Sequence, residues 1–157
     1  MVMKMSEIPL KPITKEDIRK LELALILGTL FRSEVLQQIR DAEDKVTWLD
    51  SLVIAAAALA RDRAGIPISI IAEELGRSET TIRNHLTGRT EAGRLVKETY
   101  EMLLKKGGRI EELLAISISM NIDKLRKRIY ELEQEVKELR SKLEFVKSKL
   151  TEIIAQL

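Results

Sequence analysis

Apolar residues recur at spacings of three and four along almost the whole chain, the period of successive amphipathic helices. After an arm carrying Pro9 and Pro12, Thr14 is placed to cap a helix over 15–42, with Asp17 three residues on as its box-like partner. Ile18, Leu21, Leu25, Leu30, Phe31, Val35 and Ile39 give that helix a wide apolar face, and Gly28 within it marks close packing or a kink. A polar turn at 43–46 follows. Thr47 then starts a second helix, with Asp50 three residues on; its middle is apolar throughout, and Gly65 and Pro67 end it. A helix over 91–106 is broken by Gly107 and Gly108. The segment 109–120 reads as a short helix or as the lead-in to the last element.

The last element has a different period. Ile122, Leu125, Ile129, Leu132, Val136, Leu139, Leu143, Val146, Leu150, Ile153 and Leu157 alternate spacings of three and four without a fault. That is a heptad seam, with a positions at 122, 129, 136, 143, 150 and 157 and d positions between them. A lone helix packed on its own domain would let a strict 3.5 repeat drift around its surface, so the seam predicts self-association. β-branched a positions with Leu at d in the first half favour a parallel dimer. In such a pair Arg128 would face Glu133 and Glu135 would face Arg140 of the partner copy, while Lys142 would meet Lys147. The second half places Leu at a and Val or Ile at d, a pattern that leans towards four strands. Dimer and tetramer both stay open.

The most specific spacing lies between these elements, in ISIIAEELGRSETTIRNHLTG at 68–88. Two helices that cross closely need a small residue on the inner face of the first, and Ala72 provides it between Ile71 and Leu75. Gly76 can take the positive φ of a helix C-terminus. Ser78 suits the N-cap of the second helix, and Glu79 suits its dipole. Ile82 and Leu86 turn inward with His85 at their flank, which leaves Glu79, Thr80, Arg83, Asn84 and Thr87 outward.

Those residues resemble the helix-turn-helix of prokaryotic and archaeal repressors, such as the lambda-repressor and lac-repressor families, over about twenty of the 157 residues. The resemblance implies that the second helix enters a DNA major groove. Carried over position by position, Glu79, Thr80, Arg83 and Asn84 become base readers, and Thr87 and Arg89 phosphate contacts. Arg77 and Ser78 at the helix start complete the DNA-binding set. Arg pairs with guanine, Asn with adenine, and Thr can touch a thymine methyl. Glu79 departs from this chemistry, since its only base partner is a cytosine amino group.

Composition narrows the reading. The hydrophobic fraction is 45% and the charged fraction 33%, with three prolines, which indicates an all-α protein able to bury a core. Net charge is +2, but residues 1–60 hold eight basic and nine acidic side chains whereas 61–109 hold ten and seven. The positive excess therefore falls around the proposed DNA-facing unit, where Arg94 and Lys97 are either further phosphate contacts or solvated. One His, no Cys, no phosphate-binding glycine loop and no paired acid motif leave no catalytic set. No enzyme activity, cofactor or metal is expected. The apolar run at 21–31 is too short to span a bilayer and contains Glu22, and the N-terminus lacks a secretory core, so a cytoplasmic protein without membrane partners is expected. Abundant Glu, Lys and Arg with scarce Asn and Gln is a bias seen in hyperthermophile proteins.

The sequence thus predicts an N-terminal arm and helix (1–46), a helix-turn-helix domain (47–108), and a connector with a coiled-coil oligomerisation helix (109–157). The function expected is that of a sequence-specific double-stranded-DNA-binding transcriptional regulator, acting as a homodimer or tetramer. The sequence assigns it no effector. A helical protein-interaction scaffold and an architectural or segregation DNA-binding protein are the alternatives.

Overall fold

The computed structural model describes residues 7–157. Among the described residues there are seven helices and no strand: α1 (Lys15–Leu30), α2 (Ser33–Asp41), α3 (Lys45–Arg63), α4 (Ile68–Leu75), α5 (Glu79–Thr87), α6 (Glu91–Lys105) and α7 (Ile110–Ala155). The all-α class and the long C-terminal helix are both as expected. Residues up to Ile118 form one compact unit, and Ser119–Leu157, the remainder of α7 with the two residues after it, form a second.

In the first unit the core is built on α3. Residues 55–60 of α3 are buried without interruption: four alanines, Leu59 and Ala60. Ala55, Ala56, Leu59 and Ala60 pack with Leu21 and Leu25 of α1, with Val96, Tyr100 and Leu103 of α6, and with Ile110 and Leu113 at the start of α7. Ala58 instead belongs to a smaller cluster with Ile71, Ala72 and Ile82, which seats α4 and α5. Alanine carries the highest helix propensity and leaves the least bulk between helix axes, so α3 can be surrounded on all sides.

The single helix expected over 15–42 is two. The Thr14 capping box forms as expected, with the Thr14 hydroxyl accepting from Asp17 N–H and the Asp17 carboxylate accepting from Thr14 N–H. α1 then stops at Leu30, Phe31 is 41% exposed rather than inward, and Arg32 takes an extended conformation (φ −68°, ψ 135°) as N-cap of α2. A tertiary contact drives the break. The Arg32 guanidinium is buried and donates to Leu95 O at 3.1 Å and to the Glu98 carboxylate at 2.8 Å, while its Nε donates to Glu34 at 2.8 Å. Beside it the Thr29 hydroxyl donates to that of Thr99 at 2.8 Å. Gly28, four residues before Arg32, lies within the unbroken α1. It lets α1 approach α6 and α7, because a Cβ there would come within 3.0 Å of Thr99 and Leu113 side-chain carbons.

One boundary moves. Asp44, not Thr47, caps α3: its carboxylate accepts from both the N–H (3.0 Å) and the hydroxyl (2.6 Å) of Thr47. Of the two readings open for 109–120 the structure shows the lead-in: residues 110–120 are the opening turns of α7. The described part of the arm is strapped over the α6–α7 joint. Ile8 N–H donates to Gly108 O at 2.9 Å, Tyr100 OH donates to Leu10 O at 2.9 Å, and Pro12 is buried. Gly108 holds φ +80°, and a Cβ on it would strike the Ile8 backbone.

Arg32→Ala removes a buried charge whose carboxylate partners, Glu34 and Glu98, keep 52% and 40% exposure and can rehydrate. The expected loss is therefore about 2 kcal/mol, below the roughly 3–5 kcal/mol seen when a fully buried pair is broken. Urea unfolding should show a lower midpoint with an unchanged slope.

Candidate nucleic-acid interface

α4, a short turn and α5 form as the sequence pattern requires. Ile71 and Ala72 are the buried residues of α4, with Leu75 half-buried beside them. Gly76 ends the helix in the left-handed region (φ 60°, ψ 40°), and Arg77 N–H donates back to Ala72 O at 3.0 Å. Ser78 is extended and caps α5, its hydroxyl accepting from Thr81 N–H at 3.1 Å. Gly88 stops α5 in a second left-handed cap (φ 76°), where Arg89 N–H donates to Asn84 O at 3.0 Å.

The inner face of α5 is fixed at two points. Ile82 is fully buried against Ile71, Ala72 and Ala58. His85 is also buried, further in than its expected place at the flank. Its Nδ1 lies 2.7 Å from the Thr90 hydroxyl, which accepts from Gly93 N–H at 3.0 Å as the N-cap of α6. The backbones of α5 and α6 touch here: a Cβ on Gly93 would collide with the His85 carbonyl. Burial lowers the His85 pKa below its ordinary value. The Arg77 charge adds to the shift, and Asp50 opposes it. The imidazole is thus held neutral above that lowered value.

Of the residues expected to face DNA, Arg77, Ser78, Glu79, Thr80, Arg83, Thr87 and Arg89 are exposed and Asn84 is half-buried. Thr80, Arg83, Asn84 and Thr87 share one face of α5, at spacings of three and four. Several are already engaged within the protein. The Arg77 guanidinium pairs with Asp50 of α3 at 2.8 Å, and Arg83 stands 3.9 Å from Glu79. The Ser78 hydroxyl serves the cap, and the Thr87 hydroxyl donates to Arg83 O at 2.8 Å. Among the described residues Arg89 holds no ion pair.

Sequence reasoning missed the supports of this face. Asp50 holds the turn through Arg77, and Thr90 and Gly93 set the spacing of α5 from α6. The readable signal was Thr90 three residues before Gly93, the geometry of an N-cap. Arg61 of α3 ties α4 to α1, donating to Glu74 at 2.8 Å and to Glu22 at 3.0 Å. No arginine–carboxylate pattern in the sequence marks that bridge.

In the second unit the eleven seam residues, Ile122 through Ile153 on α7 and Leu157 just after it, are each more than 40% exposed. Tyr130, Phe145 and Ile154 are exposed as well. Intrahelical pairs flank the seam, Glu138–Lys142 at 2.7 Å and Lys149–Glu152 at 3.1 Å among them. Among the described residues no helix is long and apolar enough to cross a membrane.

The chain is similar to an uncharacterized protein of the thermophilic archaeon Methanocaldococcus jannaschii. The two are 60% identical over 106 residues, which span 68% of this chain and 65% of that relative. No family model matches the sequence. No solved structure matches it.

Two outcomes follow from the α5–α6 contact. Gly93→Ala should destabilise by about 3 kcal/mol, the upper end of ordinary overpacking, because backbone rather than a side-chain tip must give way; chemical denaturation measures it. For His85, the folded pKa is depressed relative to the unfolded value of about 6.5. Stability should be unaffected by this group at higher pH, begin to fall as pH drops through about 6.5, and reach its full loss below the lowered folded value. The stability difference between wild type and His85→Gln should be constant at higher pH and shift in favour of the variant as pH falls through about 6.5.

Proposed function

We propose that this chain is a sequence-specific double-stranded-DNA-binding regulator. In this reading residues 68–89 act as a helix-turn-helix and residues 122–157 pair two copies. One observation carries it: the polar side of α5, with Thr80 and Arg83 exposed, is presented by a helix whose inner side is locked at Ile82 and His85. Left-handed glycines stop the chain before and after α5. A rigid short helix with one free polar face meets the geometric need of major-groove entry. Arg83 can reach guanine, and Thr80 or Thr87 a thymine methyl. Asn84, half-buried on the same face, is the residue whose amide can pair with adenine. Glu79 in this account is a partner for Arg83 and a first-turn dipole residue rather than a base reader.

The apolar seam of α7 supports the second half of the reading. Eleven aliphatic side chains in unbroken heptads are costly to leave in water, and a second copy supplies the matching surface. Pairing joins two weak DNA contacts into one. Two-fold related half-sites about 34 Å apart, or a multiple of that, are expected.

A scaffold that binds protein rather than DNA is the second reading. It is favoured by the Asp50–Arg77 and Glu79–Arg83 pairs, which offset two of the cations nearest the turn.

Selection of bound duplexes from fragmented genomic DNA, followed by gel-shift titration, decides between them. Arg83→Ala should cost about 1–3 kcal/mol on the selected site and relax preference at one base pair. Arg89→Ala should weaken binding on all sequences and reduce the salt slope by about 1. Equal, salt-insensitive binding by wild type and both variants would exclude base reading and leave the scaffold. Separately, Leu132→Lys with Leu139→Lys should reduce the mass measured by light scattering to that of one chain; an unchanged mass would remove α7 as the pairing element.

A further inference from the structure

Beyond the end of α5 the surface carries a second set of cations that the proposed base-reading face does not use. Gly88, the left-handed cap of α5, sits against α6: a carbon added there would lie 3.7 Å from Lys97 Cδ and 3.8 Å from Arg94 Cα. The Lys97 stem therefore rests along the end of α5. One turn further along α6, the Arg63 guanidinium of α3 lies 4.8 Å from the centre of the Tyr100 ring. That ring is itself pinned by its hydroxyl to Leu10 O. Arg63, Lys97 and Tyr100, with Glu101 and Leu104, line one open cleft of about 170 Å³. Arg63 and Lys97 thus share one cleft, and the Lys97 stem lies against Gly88, the residue before Arg89. The carboxylates nearby are Glu101 at the cleft, Asp62 at 4.0 Å from Arg63, and Glu91 at 3.9 Å from Arg94. Among the described residues Lys97, like Arg89, has no ion pair.

We infer that Arg63 and Lys97, continuing from Arg89, form a strip that takes the sugar–phosphate backbone beside the base pairs met by α5. The inference rests on the DNA-binding reading above and extends it to a surface that reads no sequence. Arg63 is pre-placed by its stack on Tyr100, so little side-chain freedom is lost when it meets a phosphate. Lys97 is a mobile point charge on a stem already packed at its base.

The test uses the full chain and a mixed-sequence duplex of about 30 base pairs, with binding followed by fluorescence anisotropy across a potassium chloride series. Each phosphate contact contributes about 0.9 to the slope of log affinity against log salt. The Arg63→Gln, Lys97→Gln double variant should therefore lower the slope by about 1.8 per bound copy, and Lys97→Gln alone, which leaves the Tyr100 stack intact, by about 0.9 per bound copy. Base preference on a selected site should not change, unlike that of Arg83→Ala. Lys20→Gln, which removes one positive charge from α1 where it pairs with Glu16, is the charge-matched control and should keep the wild-type slope. A double variant with the wild-type slope, or a control that falls as far as Lys97→Gln, would overturn the strip while leaving base reading in place. A wild-type chain that shows no salt-dependent duplex binding would overturn both. Circular dichroism melting of each variant confirms that the compared proteins are folded.

Discussion

The alanine-rich middle of α3 is the constraint from which the rest of the first unit follows. A helix buried all round is ordinarily found deep in larger proteins. Here five neighbouring helices can reach it because residues 55–60 offer almost no side-chain bulk. The same turn of α3 serves two clusters: Ala56 and Ala60 face α1 and α6, while Ala58 faces Ile71 and Ile82. The position of α5 is thereby set by the same spine that orders α1 and α6. A larger residue at Ala58 would displace the short helices before it disturbed the main core.

Around this apolar centre, long arginines act as braces. Arg32 and Arg61 each bind a backbone carbonyl and carboxylates from other segments, and each keeps its acidic partners near the surface. The arrangement limits the desolvation cost that makes deeply buried ion pairs poor stabilisers. It also fixes register: Arg32 sets where α1 ends, and Arg61 holds α4 to both α1 and α3. The Asp50–Arg77 pair does the same for the turn that leads into α5, at the surface, where it contributes orientation more than energy.

How much of this could be read from the chain depended on range. Local signals were legible. The Thr14–Asp17 box, the Gly76 stop and the Ser78 cap each act within three or four residues, and each stands where the pattern placed it. The heptad period of the last element announced a long helix. Contacts between distant segments were not legible. The break between α1 and α2 lies inside a run with continuous helical periodicity, and only the buried site for Arg32, built by Leu95, Glu98 and Thr99, accounts for it. Asp44 and Thr47 are both good caps and lie about one turn apart, so the local pattern does not separate them. Helical periodicity puts His85 only at the flank of the inner face; its burial comes from Thr90 and Gly93, five and eight residues on, which close around it. The outward positions of α5 followed from helical periodicity alone; that Arg77, Arg83 and Thr87 carry internal partners did not.

The strap formed by the arm has a practical consequence. The chain has no cysteine, so a single thiol introduced at the exposed Glu7 would accept one fluorophore without competing sites. Ile8, its neighbour, is bonded to the backbone at Gly108, immediately before α7 begins. A dye at that position would sense any loosening of the junction from which the long helix starts, and would give an optical readout of that joint while leaving every residue of α5 and of the aliphatic seam unsubstituted.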